Sequence, residues 1–225
     1  MNGVRRTKFA SARCGHAQHQ RYAHRVSERT RIIVPHRGLE AAKTRLAPVL
    51  DQGERVELAR TLLRGVLAVA GEACSDVVVI SPAASLEPIV AEAGARLVVQ
   101  RGMGLNEGLE QARDEALADG IELLVVLHGD LPNLAVGDVR ALVAAVPEPP
   151  GVAIAPDRAG LGTNGLALRP PTAIVFRFGA GSSERHRRDA ADREIAVAVV
   201  ERPGLAFDLD TPADLARWLE LGDAA

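Results

Sequence analysis

The stretch IELLVVLHGDLPNL, residues 121–134, joins a strongly apolar segment to a polar loop and decides the fold class. Residues 121–127 form the most apolar run of the chain, which is typical of a strand buried on both faces of a sheet. Asp130 follows at the carboxyl end of this strand, and a helical pattern begins near residue 136. The order strand, polar loop, helix indicates one unit of an α/β fold.

The same alternation continues in both directions along the chain. Further strands are predicted at 31–35, 76–80, 95–100, 151–157, 164–170, 195–201 and 205–210. Helices are predicted near 52–70, 84–93, 107–119, 136–145, 179–191 and 211–221. We therefore expect a single α/β domain, residues 31–225, with a central and mostly parallel sheet. Ligands of such sheets bind beyond the carboxyl ends of the strands, where the strand order reverses.

Composition excludes several classes of protein. With 225 residues, of which 47% are hydrophobic and 25% charged, the chain can form one globular domain with its own core. These values exclude a wholly disordered or collagen-like chain, and no apolar run reaches the length of about 18 residues that a membrane-spanning helix needs. The two cysteines, Cys14 and Cys74, have no zinc-site spacing, and we expect a cytoplasmic location without a membrane partner.

The formal net charge of −2 averages two unlike segments. Residues 1–31 carry eight Lys or Arg and one acidic residue, so the rest of the chain is strongly acidic. Residues 1–30 have no hydrophobic period and no apolar core of a secretory signal, and we expect a basic, disordered extension there. An organellar transit peptide has a similar composition, and one hypothesis is that translation begins at Val26. Because the basic excess lies outside the domain, we expect no nucleic-acid partner.

Carboxylates follow two of the predicted strands. Asp130 comes directly after the apolar strand, and Asp208 and Asp210 alternate along the predicted strand 205–210, so their side chains are expected on one face. Like charges held together need a cation, and carboxylate oxygens at strand ends are typical ligands of Mg²⁺. The pattern favours Mg²⁺-assisted phosphoryl chemistry, although Asp is also common in turns and helix starts. His128 is interpreted as structural, because a phosphate nucleophile needs no general base.

Three loops carry groups that could bind anions. The loop 34–46 contains Lys43, which is the sole lysine outside the basic extension, together with Arg45. These two cations favour a polyphosphate ligand, but their spacing is equally compatible with a solvated basic loop. Residues 160–165 and 178–183, GLGTNG and FGAGSS, combine glycines with hydroxyls, as anion-binding loops and ordinary turns both do.

Several blocks together resemble the guanylyltransferases that make the deazaflavin coenzyme F-420. In the order of that family they are VPHRGLEAAKTRLAPVL (34–50), GLNEGL (104–109), HGDLPNL (128–134), APDRAGLGTNGLAL (155–168), FGAGSSERH (178–186) and RPGLAFDLDTPADL (202–215). The resemblance implies a nucleotidyltransferase of glycosyltransferase-A-like, Rossmann-like fold. It also implies two partners, GTP and a small phosphorylated acid, which is phosphoenolpyruvate, 2-phospho-L-lactate or 3-phospho-D-glycerate. Pyrophosphate is released, and a homodimer is compatible with the sequence.

The resemblance assigns roles to three groups of residues. The metal group, which would bind Mg²⁺, consists of Asp130, Asp208 and Asp210. The nucleotide group consists of Lys43, Arg45, Leu105 and Asn106, of which the two basic residues are also expected to be catalytic. The acid group, which would hold the carboxylate and phosphate of the acid, consists of Thr163, Gly179 and Ser182.

Two other functions stay open from the residues alone. One is a different small-molecule nucleotidyltransferase on the same fold, and the other is a non-catalytic nucleotide-binding protein. The two glycine-rich loops argue against the first, because they resemble a pocket for a small acid. The three strand-end carboxylates argue against the second, because a binding protein would not need them.

Overall fold

A seven-stranded sheet forms the centre of a computed structural model that describes residues 29–223. The strands are β1 (Thr30–Pro35), β2 (Val77–Ser81), β3 (Arg96–Val99), β4 (Leu123–Leu127), β5 (Gly151–Pro156), β6 (Thr163–Arg169) and β7 (Ala196–Val199). Their order in the sheet is β3-β2-β1-β4-β6-β5-β7, and β6 runs antiparallel to both of its neighbours. The predicted α/β architecture with a mostly parallel sheet is confirmed.

Helices cover both faces of the sheet. They are α1 (Gln52–Ala73), α2 (Glu87–Glu92), α3 (Leu105–Ala118), α4 (Val136–Ala144), α5 (Ser182–Asp192), α6 (Pro203–Ala206) and α7 (Pro212–Asp223). Short 3₁₀ turns occupy Thr44–Leu46 and Ala84–Leu86. Successive residues of β4 enter opposite cores: Val125 packs with α1 on one face, and Val126 packs with α3 on the other. Because both faces are covered, every residue of β4 is buried, which explains its continuous apolar run.

The strand order reverses between β1 and β4, near the middle of the sheet. From β1 the chain continues to β2 on one side, whereas β4 pairs with β1 on the other side. The loops that leave the carboxyl ends of β1 and β4 therefore diverge to opposite sides and open a crevice between them. Pro35 and Leu127 are the last residues of these two strands.

One predicted strand is wrong. The segment 205–210 was expected to join the sheet, but α6 takes up its first two residues, and residues 207–210 lie outside the sheet. No sheet edge is free for it there among residues 29–223, because β4, β6 and β5 pair consecutively. Side chains still alternate: Phe207 and Leu209 are buried, and Asp208 and Asp210 are half-buried.

The helix after this segment begins as the sequence predicts. Thr211 and Asp214 form a reciprocal cap, in which the Asp214 N–H donates to Thr211 Oγ1 (3.3 Å) and the Thr211 N–H donates to Asp214 Oδ2 (2.9 Å). Asp210, which directly precedes the cap, also donates its N–H to Asp214 Oδ2 (3.4 Å). The start of α7 thereby restrains the backbone that carries Asp210.

The predicted basic extension falls outside the described residues, except for its last two. Of these, Thr30 already belongs to β1. Within the described part of the chain, no helix is long and apolar enough to cross a membrane.

Candidate functional site

A cavity of about 730 Å³ opens at the carboxyl ends of β1 and β4. Its lining comes from the loop that follows β1, the loop between β3 and α3, the first residues after β4, and Asp210. The residues that matter below are His36, Lys43, Arg45, Leu105, His128 and Asp130. The cavity lies at the reversal of strand order, where the fold class places its ligands.

Lys43 bridges two of the three carboxylates of the metal group. Its Nζ lies 2.7 Å from Asp130 Oδ2 and 3.0 Å from Asp210 Oδ1, and its side chain is only 5% exposed. Burial alone would lower the pKa of Lys43, but the charges of the two aspartates outweigh burial and raise it. Burial would likewise raise the pKa of Asp130, and the Lys43 ammonium lowers it instead. Lys43 and Asp130 are therefore both charged at neutral pH.

The backbone of the loop after β1 directs Lys43 into the site. Lys43 has a φ of 53°, in the left-handed region, and precedes the turn Thr44–Leu46, whose Leu46 is buried. A non-glycine residue in this region costs on the order of 1 kcal/mol, which the two ion pairs and the burial of Leu46 offset. Gly38, with a φ of 100°, allows the preceding turn, since a Cβ there would lie 2.9 Å from the Cβ of Ala83.

The segment 207–210 is attached directly to the loop after β4. The N–H of Leu209 donates to the carbonyl oxygen of Asp130 over 3.1 Å, and Leu209 itself is buried. Asp208 Oδ1 accepts a hydrogen bond from Asn164 Nδ2 (3.2 Å). Burial, together with the negative charges of Asp130 and Asp210, raises the pKa of Asp208. The three carboxylates are thus close enough to repel one another, as predicted, although the connection is a single backbone hydrogen bond and not a sheet.

The carboxylates of the metal group have the chemistry of a Mg²⁺ site. Oδ1 of Asp130 is buried and has no hydrogen-bond partner among residues 29–223. Carboxylate oxygens are the ligands that Mg²⁺ prefers, so this atom and its neighbours fit the ion. No cluster of three His, Cys, Asp or Glu side chains in the described residues has the arrangement of a metal site as it stands. In their present contacts, Lys43 lies between Asp130 and Asp210, and Asn164 donates to Asp208.

The nucleotide group is only partly brought together. Arg45 is 75% exposed, with Nη1 3.6 Å from Asp210 Oδ2, and Leu105 lines the cavity at the first position of α3. Asn106 is not among the described residues that line the cavity. Its amide bonds both backbone groups of Phe178, donating to the carbonyl oxygen (3.2 Å) and accepting from the N–H (2.9 Å). In this structure Asn106 supports the loop that leads to Gly179.

The acid group is assembled but buried. Ser182 Oγ lies 3.1 Å from Thr163 Oγ1, and the two residues are only 1% and 2% exposed. Gly179, with a φ of 118°, accepts the N–H of Ser182 on its carbonyl oxygen (3.1 Å), which closes the turn into α5. The sequence therefore predicts correctly that these residues are neighbours. Their role in holding an acid stays a prediction.

Two histidines line the cavity without a predicted role there. His36 accepts the Gly38 N–H on Nδ1 (3.0 Å), and burial lowers its pKa to about 4, so the ring is neutral. His128 precedes Gly129 and packs against Phe178, with ring centroids 5.5 Å apart. The available signal for both was position, because each is the first residue after a central strand.

Proteins of known structure share this fold. A Desulfovibrio desulfuricans G20 protein matches with a TM-score of 0.73 at 21% identity, over 86% of this chain and 87% of its own. CMP:2-keto-3-deoxy-manno-octonic acid synthetase complexed with CTP matches with a TM-score of 0.55 at 15% identity, over 87% of this chain and 99% of its own. Glucosyl-3-phosphoglycerate synthase from Mycobacterium tuberculosis, in complex with Mg²⁺ and uridine-diphosphate, matches with a TM-score of 0.56 at 15% identity. The match covers 80% of this chain and 73% of that one. These likenesses show the class of fold, a glycosyltransferase-A-like, Rossmann-like architecture with a carboxylate-bearing crevice at the strand ends.

Sequence similarity then gives the family. The family model described as "Guanylyl transferase CofC like" matches residues 30–224, and the chain belongs to this family. Phosphoenolpyruvate guanylyltransferase from Sphaerobacter thermophilus is 45% identical over 188 residues, 83% of this chain and 90% of that protein. The protein of the same name from Rubrobacter xylanophilus is 44% identical, over 82% and 91%. 3-phospho-D-glycerate guanylyltransferase from Phenylobacterium zucineum is 40% identical, over 81% and 86%.

Proposed function

We propose that this enzyme transfers the guanylyl group of GTP to a small phosphorylated carboxylic acid and releases pyrophosphate. Phosphoenolpyruvate is the acid we propose first, because the two relatives at 45% and 44% identity carry its name. 3-phospho-D-glycerate is the second candidate, supported by the relative at 40% identity. 2-phospho-L-lactate has the same carboxylate and phosphate and completes the set.

The arrangement of Lys43 carries this proposal. A buried ammonium held by Asp130 and Asp210 borders a cavity that is large enough for a nucleotide. The reaction moves negative charge from the α-phosphate to the departing pyrophosphate, so its catalyst must chiefly supply positioned positive charge. The site provides such charge at the strand ends, beside oxygens that suit a divalent cation.

The reaction is an in-line displacement. A phosphate oxygen of the acid attacks the α-phosphorus of GTP, one phosphorus–oxygen bond forms, and the bond between the α- and β-phosphates breaks. The electron pair leaves with pyrophosphate, and no proton has to move at the reacting atoms. Because the nucleophile is already an anion, the main tasks of the protein are to align the two substrates and to offset their repulsion.

Lys43 and Arg45 would act on the phosphates from different positions. The Lys43 ammonium is buried and directed by its backbone, so it would contact one phosphate oxygen as a point charge. The exposed Arg45 guanidinium would add positive charge near the leaving pyrophosphate. Leu105 would contribute apolar contact to the nucleoside from the start of α3.

Asp130, Asp208 and Asp210 would hold Mg²⁺, and the orphaned Oδ1 of Asp130 is the oxygen best placed for it. When bound, the ion supplies charge neutralisation of the phosphates. The carboxylates of Asp130 and Asp210 then have a second task, since they keep the ammonium of Lys43 ionised and oriented before substrate arrives.

A panel of acids tests the proposal. The enzyme is incubated with GTP, Mg²⁺ and each of the three acids in turn, and products are identified by mass together with released pyrophosphate. We expect a guanylylated acid with phosphoenolpyruvate at the highest kcat/KM, and no product when CTP or UTP replaces GTP. If none of the three acids gave a product, the proposal would be refuted. A higher kcat/KM with 3-phospho-D-glycerate would favour the second candidate.

The wider setting is part of the same proposal. A guanylylated acid of this type suits coenzyme F-420 biosynthesis, in line with the family resemblance, and we place the enzyme in the cytoplasm, where GTP is available. The reduced, buried Cys74 is compatible with that compartment. A homodimer is kept as a hypothesis, and sedimentation of the purified protein would test it.

A further inference from the structure

His186 lies completely buried behind the acid group, on α5. Its Nδ1 is 3.2 Å from Thr163 Oγ1, and its Nε2 accepts the backbone N–H of Arg177 over 3.0 Å. The ring also packs edge-on against Phe178, with centroids 5.0 Å apart. None of the functions assigned above uses this side chain, although it touches the residues expected to hold the acid.

The contact with Arg177 selects one form of the imidazole. A backbone N–H can only donate, so the nitrogen facing it must be unprotonated, and the hydrogen of the neutral ring lies on Nδ1. That hydrogen points at Thr163 Oγ1. Burial, assisted by the charges of Arg185 and Arg177, lowers the pKa of His186 to about 4, and Asp189 opposes this only in part. The ring is therefore a neutral donor toward Thr163 at any working pH.

A count of hydrogens shows what this donor does. His186 Nδ1, Thr163 Oγ1 and Ser182 Oγ together carry three hydrogens and share two contacts, of 3.2 Å and 3.1 Å. Each contact uses one hydrogen, which leaves one hydroxyl hydrogen available to a ligand. A hydroxyl that accepts from His186 is obliged to direct its own hydrogen elsewhere, either to Ser182 or outward.

We propose that His186 is a positioning residue for the phosphorylated acid: through Thr163 it orients the Thr163–Ser182 pair so that one O–H donates to an anionic oxygen of the acid. The inference rests on the proposed function, because it takes the acid as the ligand of that pair. It adds a residue that does not itself touch the substrate. A carboxylate or phosphate oxygen is the matching acceptor, since it can only accept.

The same ring also holds the neighbouring loop, residues 175–178, through a backbone hydrogen bond. Residues 175–178 lie outside the sheet, and side chains satisfy their backbone: Val175 N–H by Asp189, Arg177 N–H by His186, and Phe178 by Asn106. Gly179 follows directly. His186 therefore contacts two parts of the acid group at once, the Thr163 hydroxyl and the segment that leads into Gly179.

Three variants test the inference. His186→Phe keeps the ring volume and the contact with Phe178 but removes both nitrogens. His186→Gln can accept with its carbonyl oxygen and donate with its amide, so it can restore both hydrogen bonds. Arg188→Ala, on the exposed side of the same helix, is the matched control. Initial rates of pyrophosphate release give KM for phosphoenolpyruvate and for GTP separately.

We expect His186→Phe to raise the KM for the acid about tenfold or more, on the scale of one lost buried hydrogen bond, while the KM for GTP changes less than about twofold. His186→Gln should return the KM for the acid to within about threefold of wild type, and Arg188→Ala should change neither constant. An equal rise in both KM values, or a failure of Gln to restore the KM for the acid, would overturn the inference.

A spectroscopic measurement on the wild type keeps the inference testable if His186→Phe does not fold. In long-range ¹H–¹⁵N spectra of the labelled protein, Nδ1 of His186 should carry the hydrogen and Nε2 should not. A hydrogen on Nε2 would overturn the inference. Wild-type enzyme that yields no product with any acid would instead refute the proposed function, so the two failures are distinguishable.

Discussion

The two halves of the site satisfy their polar groups in different ways. In the half around Lys43, ion pairs join a buried ammonium to Asp130 and Asp210, whose side chains are 24% and 40% exposed. In the half around Thr163, neutral hydrogen bonds join side chains that are at most 2% exposed. Ion pairs at an open cavity can exchange partners when a charged ligand arrives, whereas a buried neutral network keeps a single geometry. Under the proposed function, the charged half would meet the changing charge of the triphosphate, and the neutral half would fix the small acid.

The largest effect is expected from removing charge in the open half. Asp210→Asn should lower turnover on the order of 10²–10³-fold, because a carboxylate that serves both Lys43 and the proposed Mg²⁺ loses its charge. Its side chain is 40% exposed, so folding should be preserved. Pyrophosphate release and the thermal midpoint are the measurements, and Asp192→Asn, on the exposed end of α5, is the control. Turnover near that of wild type would contradict the proposed role of Asp210 in binding Mg²⁺ and Lys43.

The next effect distinguishes the buried half by its response to pH. The pKa of His186 is lowered from 6.5 to about 4, so between these values the unfolded chain binds a proton that the folded chain does not. The stability from the neutral ring is complete above pH 6.5 and is lost as pH falls toward 4, by about 3 kcal/mol.

Urea unfolding of wild type and His186→Gln at pH 7, 5.5 and 4 checks this. The difference in unfolding free energy, wild type minus His186→Gln, should fall by about 3 kcal/mol from pH 7 to pH 4. His36 titrates similarly in both proteins and cancels in the difference. A difference in unfolding free energy that is constant with pH would show that His186 is not held neutral.

A smaller effect is expected when the charge is kept and the shape is changed. Lys43→Arg should lower kcat/KM about tenfold, because a larger, planar guanidinium does not fit between two carboxylates where the side chain is only 5% exposed. The reciprocal Arg45→Lys, at a position that is 75% exposed, should cost less than about threefold. Equal losses in the two variants would contradict the contrast between a fitted and an exposed cation.

The smallest effect concerns the connection between the halves. Asn106→Asp keeps an acceptor for the Phe178 N–H but places a carboxylate against the Phe178 carbonyl, and should destabilise the fold by about 1–2 kcal/mol. The KM for the acid should rise a few-fold through the loop at Gly179. Urea unfolding and steady-state rates are the measurements, with Asn106→Ala for comparison. A rise confined to the KM for GTP would instead support the role in nucleotide binding that the family resemblance implies for Asn106.

Most of the fold could be predicted from sequence because the sheet is covered on both faces. Apolar runs such as 121–127 and the helical patterns between them follow from burial alone. The error at 205–210 has a different origin: the segment alternates apolar and acidic residues as a strand does, yet its buried Leu209 packs with Leu46 and with Leu62 of α1, outside the sheet. Periodicity reports which side chains are buried and does not report what covers them.

The site was predictable in its residue types more than in its contacts. That Asp130 follows a strand, and that Thr163 and Ser182 are neighbours, came from motifs and their resemblance to a family. The hydrogen bonds of Asn106 with Phe178 and of His186 with Thr163 could not be predicted. Those contacts join different elements across the fold, and no local pattern encodes them.

The amino-acid sequence determined the order of strands and helices, the acidic body with its single lysine, and the family. Tertiary structure alone decided that this lysine meets Asp130 and Asp210, which lie 87 and 167 residues further along the chain. It also decided which nitrogen of His186 carries a hydrogen. The physical reason is the same in both cases: the charge and hydrogen-bonding state of a buried group depend on the partners that folding brings to it, and those partners are distant in sequence.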